Sequence, residues 1–149
     1  MRGVRLSYHP AHPVIEDLTT AVTPGAVTMI VGPNACGKST LLRALSRVIS
    51  PDAGQVVLDG RDIATLAPKQ LARRVGLLAQ SSIAPAGITV HELVARGRYP
   101  HQSILHQWSA ADDEAVSEAM ERTHVDVLAA RRVSSLSGGQ RQRVWVAMA

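Results

Sequence analysis

The chain has 149 residues, which suits one domain, and 46% of them are hydrophobic, which is enough to build a core. Cys36 is the only cysteine, so an internal disulfide and a cysteine-cluster metal site are excluded. The formal net charge is +4, but the arginines are scattered among acids instead of forming a stripe with aromatics, so we do not expect nucleic acid as a partner.

Short apolar runs and turn signals predict a β-rich beginning. Residues Val4–Tyr8 alternate in the manner of a short strand, and Val14–Val22 has the pattern of a second one. Pro24-Gly25 is typical of a turn. The apolar run Ala26–Val31 that follows predicts a buried strand.

That strand leads into Gly32–Thr40, whose sequence GPNACGKST is a complete G-x-x-x-x-G-K-[ST] phosphate loop, and Thr40–Ile49 behind it has helical spacing. Strand, glycine loop and helix start together form a triphosphate cradle, because successive N–H groups converge on phosphate oxygens at the positive end of the helix dipole. Lys38 can reach the β- and γ-phosphates, and the Ser39 hydroxyl can ligate Mg²⁺. The chain is therefore predicted to bind nucleotide; the alternative is a glycine turn that binds nothing.

The β pattern continues for some distance beyond this helix. Gln55–Leu58 predicts a strand, and Asp59-Gly60 is a strong hairpin turn signal. Pro68 marks the start of a helix. Val75–Ala79 predicts another buried strand, which Gln80 closes.

Helical signals replace the β pattern after residue 80. Thr89 and Glu92 have the spacing of a capping box that opens a helix, and Ser109 and Asp112 have the same spacing before a second one. A helical subdomain is therefore expected over about 88–136.

A second anion site is predicted near residue 137. Ser137 is placed as an N-cap, and Gln140 three residues later completes a capping box. Gly138 and Gly139 in the first turn leave their N–H groups open to an outside ligand. One phosphate loop needs no second anion site, so this one is expected to serve the nucleotide of another copy in a dimer. The alternative is an ordinary helix cap.

The order of these motifs resembles that of the ATP-binding subunits of ABC transporters. The phosphate loop is followed by a lone glutamine, Gln80, and then by LSGGQRQR at residues 136–143, which resembles the signature motif of that family. Two segments, Gly87–His101 and Arg131–Ala149, are similar to those of iron–siderophore importers, above all the catecholate (enterobactin-type) branch. The resemblance covers essentially the whole chain.

The resemblance implies an α/β fold: a P-loop NTPase (RecA-like) core with an N-terminal antiparallel β portion and a helical subdomain. In this pattern residues 1–87 are the β-rich phosphate-loop core, 88–136 the helical subdomain and 137–149 the start of the signature helix. The family places an apolar strand ending in Asp-Glu after that helix, and then a histidine. We therefore interpret the chain as an N-terminal fragment, truncated before the Walker B strand and without the catalytic glutamate.

The resemblance also implies roles for single residues. Tyr8 would stack on adenine, the alternative being a core tyrosine, and Gln80 would touch Mg²⁺ and the attacking water. The metal contacts would thus be Ser39 and Gln80, whereas Cys36 would serve packing. The nucleotide-binding set would be Tyr8, Gly32, Pro33, Asn34, Ala35, Cys36, Gly37, Lys38, Ser39 and Thr40. The set that contacts the ATP of the opposite subunit would be Ser137, Gly138, Gly139 and Gln140.

The implied function is ATP hydrolysis coupled to uptake of a ferric siderophore, with ATP and Mg²⁺ as cofactors. The fragment itself would bind nucleotide without hydrolysing it. The implied partners are membrane permease subunits, a second copy in an ATP-sandwich dimer and, indirectly, a periplasmic siderophore-binding protein. No signal peptide and no bilayer-length apolar run is found, so a soluble, cytoplasmic protein is expected. The resemblance implies that it lies peripherally on the cytoplasmic side of the inner membrane.

Three alternatives remain at this point. The first is an importer ATPase for another substrate, such as haem or vitamin B12. The second is a soluble, non-transport ABC ATPase that acts in DNA repair or on ribosomes. The third is a nucleotide-binding fragment with no catalytic role.

Overall fold

The chain divides into two compact units, Met1–Leu71 and Ala72–Ala149. The computed structural model describes residues 1–9, 12–80, 83–102 and 108–149. The phosphate loop belongs to the first unit, and the helix that begins after Ser137 belongs to the second.

A three-stranded antiparallel sheet organises the first unit. Its order is β2–β1–β3, where β1 is Arg2–His9, β2 is His12–Leu18 and β3 is Ala53–Gln55. The central strand carries Val4 and Leu6, whose side chains are fully buried. The first two of the three strands expected before the phosphate loop are therefore confirmed, although the second ends four residues earlier than predicted.

The predicted hairpin is also confirmed. β4 (Val57–Leu58) and β5 (Arg61–Asp62) pair across Asp59-Gly60, whose φ angles of +48° and +80° are those of a tight two-residue turn. The single strand predicted over 55–58 is wrong, because β3 pairs with β1 whereas β4 pairs with β5. The chain changes its pairing partner at Val56, which is buried.

The helix behind the phosphate loop, α1, spans Lys38–Leu45 and ends four residues before the predicted end. Ser46 is the C-cap residue, and its hydroxyl donates to the Leu42 carbonyl at 2.9 Å. Arg47 follows in the left-handed conformation, with φ +57°. Because that conformation cannot continue a right-handed helix, the chain turns away here.

Two predicted strands are wrong. Residues 26–31 and 75–79 form no strand, and Val27, Met29 and Val31 are 96%, 79% and 78% exposed. Among the described residues, all pairing between strands takes place within β1–β2–β3 and within β4–β5, which leaves no neighbour for either segment. A backbone without a neighbouring strand cannot form a ladder, however apolar its side chains are.

Three capped helices form the second unit: α3 (Val90–Ala95), α4 (Ala110–Arg122) and α5 (Gly138–Met148). Before them lies the short α2 (Pro68–Ala72), which begins at the predicted proline. Each of the three longer helices starts at its predicted capping box, so all three starts are confirmed. In each box the third helical residue accepts from the N-cap backbone N–H, at 2.8–3.0 Å.

The apolar faces of these helices form one core. Leu93 of α3, Val116 of α4 and Val144 of α5 are each 1% exposed or less. The remaining members of this core are Ile88, Val90, Val94, Met120, Val125, Leu128, Val133 and Leu136. Within the described ranges, no helix has the length and apolar character that crossing a bilayer requires.

Candidate functional site

The phosphate loop is an exposed turn over residues 32–36 that continues into the first turn of α1. Gly37 caps that helix with φ +92°, and Ala35 also has a positive φ, +65°. Left-handed residues of this kind turn successive N–H groups toward a common point, which is the geometry of an anion-binding nest. A side chain at position 37 would have its Cβ 3.0 Å from Val14 and 3.3 Å from Ile15, so β2 packs against the loop and favours glycine there.

The ammonium group of Lys38 lies over its own loop. Its Nζ donates to the carbonyl oxygens of Gly32 at 2.9 Å and Pro33 at 2.5 Å, and it lies 3.6 Å from the Cys36 sulfur. These partners are neutral dipoles, so the positive charge remains available to an anion. The loop thus places a cation beside a turn with left-handed residues at positions 35 and 37, a combination that suits phosphate recognition.

Tyr8 is joined to α1 through its hydroxyl group. The oxygen lies 3.3 Å from the Thr40 hydroxyl and accepts from Arg43 Nη1 at 3.0 Å. The contact with Thr40 and the one with Arg43 lower the pKa of the Tyr8 hydroxyl. The residue as a whole is 56% exposed, so the ring remains accessible to a ligand next to the first turn of α1.

Ser39 and Thr40 lie in opposite environments. Ser39 is exposed in the first turn of α1, whereas Thr40 is buried and its hydroxyl faces Tyr8. An exposed hydroxyl beside a phosphate site suits Mg²⁺, which takes few protein ligands and several phosphate and water oxygens. No cluster of three or more metal-binding side chains occurs in the part of the chain that the structure describes.

The second predicted anion site is an open helix start in the second unit. Ser137 Oγ accepts from the Gln140 N–H at 3.3 Å, and Gln140 Oε1 accepts from the Ser137 N–H at 3.0 Å. This reciprocal pairing leaves the N–H groups of Gly138 and Gly139 as the outward-facing donors. Apart from adjacent residues and the backbone of α5 itself, no described atom lies within 4 Å of where a Cβ on either glycine would be, so a ligand can approach closely.

The other polar residues considered from sequence are placed as follows. Gln80 is exposed in the second unit and follows the irregular segment 75–79. Asp112 accepts from Arg98 Nε at 2.8 Å and from the hydroxyl and backbone N–H of Ser109, and these hydrogen bonds lower the pKa of its carboxyl group. Asp112 therefore acts as a helix cap and ion-pair partner, because both of its oxygens are occupied.

Sequence reasoning missed Arg43. Its helical position gave no functional signal, because an arginine in the last turn of a helix is ordinary and favourable with the helix dipole. The available signal was its spacing of three residues from Thr40, which places both on one face of α1. That this face meets Tyr8 is visible only in the structure.

Comparison with known proteins gives the family. The profile of the ABC transporter family matches residues 15–149. The chain belongs to the ABC transporter family. It is 52% identical over 149 residues to the ferric enterobactin transport ATP-binding protein of Escherichia coli (strain K12), an alignment that covers 99% of this chain and 55% of that protein. A probable siderophore transport system ATP-binding protein of Bacillus subtilis (strain 168) is 50% identical over 135 residues, covering 91% of this chain and 49% of that protein.

A solved structure gives the same assignment for the fold. A bacterial Atm1-family ABC exporter with ATP bound superposes with a TM-score of 0.79 at 28% identity, over 99% of this chain and 26% of that one. The expected P-loop ATPase fold class is therefore confirmed at the level of the family, although two of its predicted strands are not formed here. The chain spans about half the length of the curated relatives it matches.

Cys36 offers a direct probe of the phosphate loop. The thiol is exposed and lies 3.6 Å from Lys38 Nζ, so an adduct on it would fill the space beside the ammonium. We expect alkylation of Cys36 to block nucleotide binding, and bound Mg·ATP to slow alkylation, which mass spectrometry can follow over time. Equal labelling rates with and without nucleotide would show that Cys36 lies outside the nucleotide site. Because the chain has one cysteine, the Cys36→Ser variant provides an unlabelled control.

Proposed function

We propose that this chain binds ATP with Mg²⁺ and is part of the ATPase subunit of an importer for ferric siderophores. The observation that carries the proposal is the 52% identity to a ferric enterobactin transport ATP-binding protein over 99% of the chain. The geometry of the phosphate loop supports it, since the Lys38 ammonium, which donates to neutral carbonyls, lies in a loop whose left-handed residues favour an anion-binding turn.

In this proposal the triphosphate is held by the phosphate loop, from Gly32 to Thr40. Lys38 contributes the charge, and Ser39 supplies a hydroxyl oxygen to Mg²⁺, with Gln80 as a further metal contact. Tyr8 stacks on the adenine ring. The sequence has no Asp-Glu pair at the end of an apolar strand, so the proposal assigns ATP binding, and not hydrolysis, to residues 1–149.

A shared site between two subunits completes the proposal. The outward N–H groups of Gly138 and Gly139 fit a phosphate brought by another molecule, with Ser137 and Gln140 fixing the helix start. Two copies would then close over two ATP molecules while docked on permease subunits. The subunit would lie peripherally on the cytoplasmic side of the membrane and communicate with a periplasmic siderophore-binding protein only through the permease.

Transport assays test the substrate. The complete gene containing this chain, expressed with its permease and binding protein, should restore uptake of radiolabelled ferric enterobactin in cells that lack their own siderophore ATPase. The same cells should show no gain in uptake of haem or cobalamin. Restored uptake of only haem or cobalamin would assign the importer to that substrate instead.

A substitution at the second anion site tests the shared-site arrangement. In the complete protein, Ser137→Arg should abolish ATPase activity and transport but leave ATP binding by the monomer nearly intact, because the serine serves the nucleotide of the opposite subunit. Steady-state phosphate release and calorimetric ATP binding measure the two effects separately. Loss of ATP binding by the monomeric variant would contradict the shared-site model.

Ser134→Arg is the matched control for this experiment. Ser134 is exposed just before the site, in the 3-10 turn Val133–Ser135, and the same charge and volume are added there. We expect this variant to retain activity. Since Ser137→Arg also removes a helix cap worth about 1 kcal/mol, circular dichroism should verify that α5 remains helical.

A further inference from the structure

We propose that Arg43 is a positioning residue, which holds the Tyr8 ring in place for contact with the base of the bound nucleotide. This inference rests on the proposed nucleotide binding and adds a determinant of affinity for the base. It is carried by a hydrogen-bonded contact between β1 and α1 that lies next to the phosphate loop.

The Tyr8 hydroxyl is held from two sides. Arg43 Nη1 donates to its oxygen at 3.0 Å, and the Thr40 hydroxyl lies 3.3 Å away. Either hydroxyl can be the donor in the contact with Thr40, so this contact forms alongside the one from Arg43. Thr40 is 5% exposed, so it is a fixed point of attachment within the first turn of α1.

Two contacts at the hydroxyl restrict the ring as a whole. A surface tyrosine that is 56% exposed would otherwise move among several rotamers, and ordering it upon ligand binding would cost conformational entropy. With its hydroxyl held by α1, the ring is ordered before the ligand arrives. A planar base can then stack on it with a smaller entropic loss.

Arg43 acts on the base side of the site and not on the phosphate side. It lies five residues after Lys38, which corresponds to about 7.5 Å along a helix axis. Its guanidinium group donates to Tyr8, whereas the Lys38 ammonium donates to carbonyls of the phosphate loop. Removing the Arg43 contact should therefore weaken ligands that carry a base and spare ligands that consist of phosphates alone.

Calorimetry of four proteins, each titrated with Mg·ATP and with inorganic tripolyphosphate, tests the proposal. The proteins are the parent chain, Arg43→Met, Tyr8→Phe and the double variant. Each single variant should bind ATP about three- to tenfold more weakly, because losing one hydrogen bond changes affinity by about this factor. Its affinity for tripolyphosphate should be unchanged. The ATP affinity of the double variant should equal that of the single variant with the lower affinity, because both substitutions remove the Arg43–Tyr8 hydrogen bond.

A second readout separates positioning from a general structural role. The contacts with Thr40 and Arg43 lower the pKa of Tyr8. Arg43→Met should therefore raise that pKa toward its ordinary value, and Arg43→Lys should restore part of the shift and part of the ATP affinity. Ultraviolet titration in a Tyr99→Phe background makes Tyr8 the only tyrosine observed, because the chain has two.

Arg61→Gln is the control for loss of a positive charge, since Arg61 is exposed on the β4–β5 hairpin. It should leave ATP affinity unchanged. If the parent chain binds ATP and Arg43→Met binds it equally well, Arg43 does not position Tyr8. Equal losses for ATP and tripolyphosphate would instead make Arg43 a phosphate contact and overturn the inference. Failure of the parent chain to bind ATP would refute the proposed function itself.

Discussion

Lys38→Ala is expected to weaken Mg·ATP binding at least tenfold while leaving the fold unchanged. The Nζ atom hydrogen-bonds only to carbonyl oxygens of its own loop, at 2.9 and 2.5 Å, and to a sulfur, among the contacts the structure describes. A phosphate would thus meet a charge that no carboxylate has neutralised. Losing one charge-assisted contact costs about 1.5–3 kcal/mol, which corresponds to a tenfold or larger change in affinity.

Lys69→Ala provides the matched control, because Lys69 is the only other lysine and lies on α2. Isothermal calorimetry should show near-parent affinity for this variant and a large loss for Lys38→Ala. If Lys38→Ala and the parent chain bind Mg·ATP with equal affinity, the phosphate loop does not form the binding site. Circular dichroism should show the same helix content in all three proteins.

Leu93→Ala is expected to destabilise the second unit by about 2–5 kcal/mol, the range for a leucine truncated in a close-packed core. Leu93 is 1% exposed and belongs to the core that α3, α4 and α5 share. The six-residue α3 has little stability of its own, so its position depends on this packing. Urea unfolding followed by tryptophan fluorescence in a Trp108→Phe background, which leaves Trp145 against the same core as the only tryptophan, measures the effect.

His91→Ala on the same helix is the control, because His91 is exposed. A surface substitution of this kind should change the free energy of unfolding by no more than about 0.5 kcal/mol. A Leu93→Ala variant with the midpoint of the parent chain would show that α3 does not pack as described. If both variants lose stability to a similar extent, α3 is destabilised by any substitution, and the effect of Leu93→Ala is not specific to core packing.

The local features of this chain could be predicted from its sequence. Capping boxes place the starts of α3, α4 and α5 correctly, because a cap depends on two side chains three residues apart and on nothing distant. The Asp59-Gly60 hairpin and the phosphate loop are local in the same sense, since each is set by backbone conformations that few residues adopt. The roles of Tyr8 and Gln80 came from family resemblance, whereas the second anion site at Ser137 was predicted from its capping box and glycines; all of them stay predictions.

Features that depend on distant partners were decided by the tertiary structure alone. Residues 26–31 and 75–79 have the apolar pattern of buried strands, but a strand also needs a neighbouring backbone, and the described residues supply none. Arg43 shows the opposite case: nothing in its sequence neighbourhood points to the site, and its contact with Tyr8, 35 residues away, arises only because α1 packs beside β1. Sequence by itself determined where α3, α4 and α5 start and which loop carries the phosphate-binding motif, because both depend on neighbouring residues. Strand pairing and the hydroxyl contacts of Tyr8 needed the folded chain, because their partners are brought together only by folding.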